Sequence, residues 1–151
     1  MTEKTFGSAT AGCSYAEHRG AYLIAIENGR LHVLTKNGVT RLPGGDVTKN
    51  ASHEEVILQA CMDTTGFDVA VEDFVTDADL FDQATATHSV RTYYSGTFFE
   101  QITAPSDITY AHKQIFISDL DSLSLDIERW AVRECIEMLR ADAHGSDDEE
   151  L

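Results

Sequence analysis

Between Leu42 and Phe67 the chain carries punctuation that leaves its backbone little choice. Leu42-Pro43-Gly44-Gly45 is turn chemistry that closes whatever extended segment precedes it. Ser52 then suits a helix N-cap, and Glu55 three residues on completes a capping box, with Glu54 and Glu55 both at the positive end of the helix dipole. Val56, Ile57, Ala60 and Cys61 recur at three-and-four spacing and predict one buried stripe. Gly66 suits the left-handed cap that would end this helix after Thr65.

The flanks read as strands. Arg19 to Ile26 is an apolar run followed by Asn28-Gly29 and then Arg30 to Thr35, the spacing of a β-hairpin. A second Asn-Gly, at 37 and 38, leads into Val39 to Leu42, so a three-strand meander is expected. Beyond Gly66, Phe67 to Phe81 with a bend, Ser89 to Ile102 and His112 to Ser118 are rich in β-branched and aromatic residues. A last helix is expected from Asp126, as N-cap, to about Ala141, with Ile127, Trp130, Ala131, Ile136 and Leu139 on its core face. No internal repeat is visible. The order strands, helix, strands, helix predicts an α/β (α+β) chain in which a mixed sheet is sandwiched between helices.

A chain of 151 residues suits one domain, read as residues 1–141, followed by an acidic tail at 142–151 with the composition of a disordered segment. The net charge of −15, with eleven Lys and Arg in total, disfavours long nucleic acid as a partner. No apolar run approaches the ~20 residues of a membrane helix, and Met1 to Ser8 has no apolar signal core, so a cytoplasmic protein is expected. Cys13, Cys61 and Cys135 are odd in number and lie within or beside apolar stretches, which reads as buried free thiols. The six histidines form no zinc spacing. His53, His88 and His112 read as polar surface residues. The pairs Tyr93-Tyr94 and Phe98-Phe99 must each send one ring to either face of a sheet.

Gly45 to Phe67 resembles a Nudix box, G-x5-E-x7-R-E-U-x-E-E-x-G-U with U a bulky apolar residue, and fits that frame without a gap. Gly45 and Gly66 take the glycines, Cys61 and Phe67 the apolar positions, and Leu42-Pro43-Gly44-Gly45 the usual entrance. The flanking strands and the Trp130-Ala131-Val132 stretch of the last helix extend the resemblance over about residues 15–141. The resemblance implies a Nudix fold, with Gly44 and Gly45 in the ligand site.

Against that frame the acidic positions are mostly replaced. Ala51 stands for the first Glu, Gln59 for the Arg, Ala60 for the next Glu and Thr64 for the last; only Asp63 keeps a carboxylate. In the family the carboxylates at the positions of Ala60, Asp63 and Thr64 share one helix face and hold Mg2+ or Mn2+ beside a diphosphate, because residues three and four apart are neighbours on a helix. The glutamate at the position of Ala60 often also activates water. These replacements imply a Nudix-fold protein with little or no hydrolysis that binds a nucleoside diphosphate derivative or acts as an interaction module, with Asp63 alone holding a metal weakly. The alternative is a divalent-metal pyrophosphohydrolase with a site rebuilt from Asp63, one of Asp77, Asp79 or Asp82, and Glu100, among which Asp79 and Glu100 are the candidate added ligands. Whether the chain forms a homo-oligomer stays open.

Overall fold

In the computed structural model, residues 2–150 are described, with side chains described through residue 142. The strands are β1 (Lys4–Phe6), β2 (Ala16–Ile24), β3 (Ile26–Glu27), β4 (Arg30–Lys36), β5 (Val39–Arg41), β6 (Gly44–Asp46), β7 (Phe67–Asp82), β8 (Thr87–Gln101) and β9 (Ala111–Phe116). Helix α1 is His53–Thr65, a 3-10 segment covers Ile117–Ser122, and α2 is Asp126–Glu150.

The main sheet runs β1-β7-β8-β2-β6. It is mixed: β1 pairs with β7 and β2 with β8 in parallel, while β7 with β8 and β2 with β6 are antiparallel. In the smaller sheet β4 pairs with β3, β5 and β9. The two turns on either side of β4 place Asn28 (φ 53°) with Gly29 (φ 74°), and Asn37 (φ 48°) with Gly38 (φ 81°), in the left-handed region, as tight hairpins of this twist require.

The expected three-strand meander forms as β3-β4-β5, but of its expected first strand only Ile26, with Glu27, joins it. The run from Arg19 to Ile26 divides at Ala25: β2 lies parallel to β8 in the main sheet, and only Ile26–Glu27 folds back on β4. The reason is burial on both faces. Ala21, Leu23 and Ala25 pack toward α1 with Ile57, Cys61, Val69 and Phe98, whereas Tyr22 and Ile24 pack toward α2 with Tyr93, Ile127, Ala131, Val132 and Cys135. A strand covered on both sides reads as a continuous apolar run and belongs at a sheet centre. The mixed sheet is thus sandwiched between the two helices, as expected.

Other local expectations are corrected. Gly44 and Gly45 continue as β6 and pair with β2 rather than ending the sheet. The buried stripe of α1 is Ile57, Cys61, Thr64 and Thr65; Val56 and Ala60 are only half-buried. Asp126 is the first residue of α2, because the Glu128 and Arg129 N–H groups donate to the Leu125 carbonyl. The helix continues past Ala141 to Glu150, through residues read as a tail, and Leu139 is exposed. Cys61 and Cys135 are buried free thiols, but Cys13 is exposed. No helix among the described residues is long and apolar enough to cross a membrane.

Candidate functional site

A groove of about 430 Å3 lies between β6 and α1, lined by Gly45, Asp46, Ala51, Glu55, Val56, Gln59, Ala60 and Asp63. Local sequence builds both walls. Ser52 accepts from the Glu55 N–H at 3.1 Å and starts α1, and Gly66 (φ 75°) ends it by donating to the Met62 carbonyl at 2.9 Å. On the other wall Gly44 is pressed onto β2, where an added Cβ would lie 2.2 Å from the Ala21 carbonyl oxygen. Gly45 faces the helix: a Cβ there would sit 3.7 Å from Val56 Cγ1 and 3.9 Å from Ala60 Cβ. Four of the five charged positions of the frame, here Ala51, Gln59, Ala60 and Asp63, therefore meet in one groove with Gly45.

The fifth does not. Thr64 is buried and its hydroxyl donates to the Ala60 carbonyl at 2.7 Å, so its side chain is turned back on its own helix. Asp63 is held by Gln59, whose Nε2 donates to Asp63 Oδ1 at 2.8 Å. The wall at Ala60 is a methyl group. A hard divalent cation held by protein needs several converging oxygens, and the three carboxylates that line this groove, Asp46, Glu55 and Asp63, do not converge as a cation site. Among the described residues no three His, Cys, Asp or Glu side chains gather as a cation site. The residues present do not fit a protein-held magnesium cluster.

The other acidic candidates lie elsewhere. Asp77 and Asp79 line a separate cavity of about 480 Å3 with Arg19, His53, Phe74 and Tyr94. Burial opposes ionisation of Asp79, but hydrogen bonds from Thr2 and from His88 (2.8 Å) outweigh it and hold its carboxyl below the usual range. Asp77 accepts from the Glu3 N–H at 3.0 Å. Asp82 accepts from the Ala84 and Thr85 N–H groups in the β7–β8 turn. Glu100 is exposed opposite Asp68 near the end of β8. None of them lines the groove of Asp63.

Several functional-looking contacts escape sequence reasoning. His53, His88 and His112 are not loose surface residues. His53 bonds the Tyr94 hydroxyl at 2.7 Å, His88 stacks on Phe81, and His112 pairs with His32 at 2.9 Å. Glu128, fully buried, accepts from Arg91 at 3.0 Å and from the Leu42 N–H at 3.2 Å. The signal for two of these was present: His32 interrupts Leu31-Val33-Leu34, and Glu128 interrupts Ile127-Trp130-Ala131, the mark of a polar group inside an apolar face.

No protein-family model matches the sequence, and no curated protein does. Solved structures do. A NUDIX hydrolase from Nitrosomonas europaea superposes with a TM-score of 0.72 at 9% identity, over 80% of this chain and 89% of that one. A MutT NUDIX hydrolase from Burkholderia pseudomallei gives 0.68 at 18% identity, over 78% and 97%. An ADP-ribose pyrophosphatase from Streptococcus suis gives 0.65 at 17% identity, over 82% and 92%. The chain has the Nudix hydrolase fold.

Proposed function

We propose that this Nudix-fold chain binds a nucleoside diphosphate derivative in the groove between Gly45 and α1 and does not hydrolyse it by the multi-metal route. The observation that carries the reading is the Ala60 methyl on the α1 wall, with Asp63 as the one carboxylate kept at a frame position and Glu55 and Asp46 not gathered with it as a cation site. Without a carboxylate at that place, water has no general base there, a contribution that is worth roughly 10² to 10⁴ in rate. The groove itself is retained, at about 430 Å3 within the range of small-molecule sites. A diphosphate brings its own Mg2+ or Mn2+, to which Asp63 supplies a single oxygen. The diphosphate class is supported by the fold's likeness to an ADP-ribose pyrophosphatase.

The test is a panel of ADP-ribose, nucleotide sugars and nucleoside triphosphates with Mg2+ and with Mn2+, followed in parallel by product release and by thermal stabilisation. Stabilisation without release, weakened in Asp63→Ala, is expected. Turnover that Asp63→Ala abolishes would replace this reading with that of a pyrophosphohydrolase whose carboxylate site has been rebuilt.

A further inference from the structure

A third cavity, of about 460 Å3, opens beside β4 and β9 where β7 begins and β8 ends. Its wall is aromatic. The His32 ring lies on Phe98 with centroids 3.9 Å apart and planes 1° from parallel, and His112 is tilted only 18° from each. Phe67 meets Phe98 and His112 from the side. Phe99 lines the same cavity and is 62% exposed, a large ring left in water beside a stack.

The polar groups of this wall form a chain. The Gln114 side-chain amide is 3.1 Å from His32 Nε2, and His32 Nδ1 is 2.9 Å from His112 Nε2. In such a chain each imidazole is neutral, with one nitrogen donating and the other accepting. Burial lowers the pKa of both histidines, His32 to about 4, which keeps them neutral in ordinary buffers. Because the Gln114 amide nitrogen donates, His32 Nε2 accepts and His32 Nδ1 donates to His112 Nε2, so the chain ends on the His112 Nδ1–H, which has no hydrogen-bond partner among the described residues. Glu27, 4.0 Å from His32 Nε2, and Lys113 both line the cavity, so its own charges balance, and the −15 of the chain as a whole favours an uncharged ring over an anionic one.

We propose that this cavity binds an uncharged planar heteroaromatic ring, such as the base of a nucleoside, stacked against Phe99 and the Phe98–His32 wall with a ring nitrogen or carbonyl at His112 Nδ1. The site is separate from the Gly45–Asp63 groove and shares no lining residue with it. Stacking on aromatic side chains is tolerant of base identity, whereas the single polar contact at His112 gives a preference among bases.

The experiment titrates the isotopically labelled full chain with adenosine and with inosine, following the His Cε1–H and Phe ring resonances. Saturating ring-current shifts at His112 and Phe99 are expected. Phe99→Ala, a change at an exposed residue that leaves the core intact, lowers the affinity about tenfold. Asp63→Ala leaves it unchanged. His112→Phe keeps a ring in the wall and removes the difference between adenosine and inosine. The proposal is overturned if neither nucleoside saturates up to its solubility, if Phe99→Ala binds as the wild type does, or if N-acetyl-tryptophanamide binds and the nucleosides do not.

Discussion

Arg91 Nη2 stands 3.0 Å from Glu128 Oε2, with the carboxylate fully buried and the guanidinium nearly so. The second Glu128 oxygen accepts the N–H of Leu42, the residue that opens the Leu42-Pro43-Gly44-Gly45 segment, so one carboxylate ties α2, β8 and one wall of the groove together. The Arg91 guanidinium also lies 4.1 Å from the centre of the Tyr22 ring.

Breaking this pair from one side leaves an uncompensated buried charge, which costs about 3–5 kcal/mol. Arg91→Met is therefore expected to lower stability by that order. The double change Arg91→Met with Glu128→Gln recovers part of it, because the amide oxygen still accepts from Leu42. Urea unfolding of the two variants measures the difference; equal losses would mean that the charge itself is not what matters.

The same carboxylate makes stability depend on pH. Burial, which outweighs the attraction of Arg91, pushes Glu128 up to about 7 from an ordinary value of 4.5. A folded-state pKa above the unfolded one means that the folded chain holds a proton the unfolded chain has lost. The contribution is present below pH 4.5 and is lost as pH rises to about 7, a slope of order ~3 kcal/mol in all. His32, lowered by burial to about 4, works the other way: its contribution is complete above pH 6.5 and is lost as pH falls toward 4. The two oppose each other in the wild type. Glu128→Gln should therefore leave the rising slope of His32 alone, and urea midpoints at pH 5 and pH 7.5 should separate more in that variant than in the wild type.

The helix between the glycines was legible because its signals are local: a capping box, a C-cap glycine and an Asn-Gly turn act within a few residues. What was not legible is set by distant partners. The Ala16–Ile24 strand goes to β8 rather than β4 because both its faces are covered, which no local pattern states. Thr64 illustrates the same limit in the site. Its spacing places it on the face of Asp63, but packing turns it inward to the Ala60 carbonyl, so of the three positions expected on one face only Ala60 and Asp63 line the groove.

That difference shapes what restoring acids would do. The triple change Ala51→Glu, Ala60→Glu and Thr64→Glu should raise divalent-metal affinity, since it adds oxygens beside Asp63 on one groove. Most of the gain is expected already in Ala51→Glu with Ala60→Glu, whose positions line the groove. Thr64→Glu has to bring a carboxylate out of a buried site and should cost stability. Calorimetric titration with Mn2+ reads affinity and thermal melting reads the cost; flat affinity in a folded double variant would show that the frame is misaligned.

Neighbouring glycines give the sharpest separation of fold from site. At Gly44, φ is 155° and a Cβ would lie 2.2 Å from the Ala21 carbonyl oxygen and 2.7 Å from Tyr22 Cα, backbone atoms that cannot move without parting β6 from β2. Gly44→Ala is expected to destabilise by more than the ~1 kcal/mol that ordinary glycine substitutions change. At Gly45 the new methyl would meet only Val56 and Ala60 at ordinary contact distances, so Gly45→Ala keeps the fold. It does so by filling the floor of the groove. Its melting temperature should match the wild type while ADP-ribose no longer stabilises it, and full stabilisation by ADP-ribose in Gly45→Ala would place the ligand outside this groove.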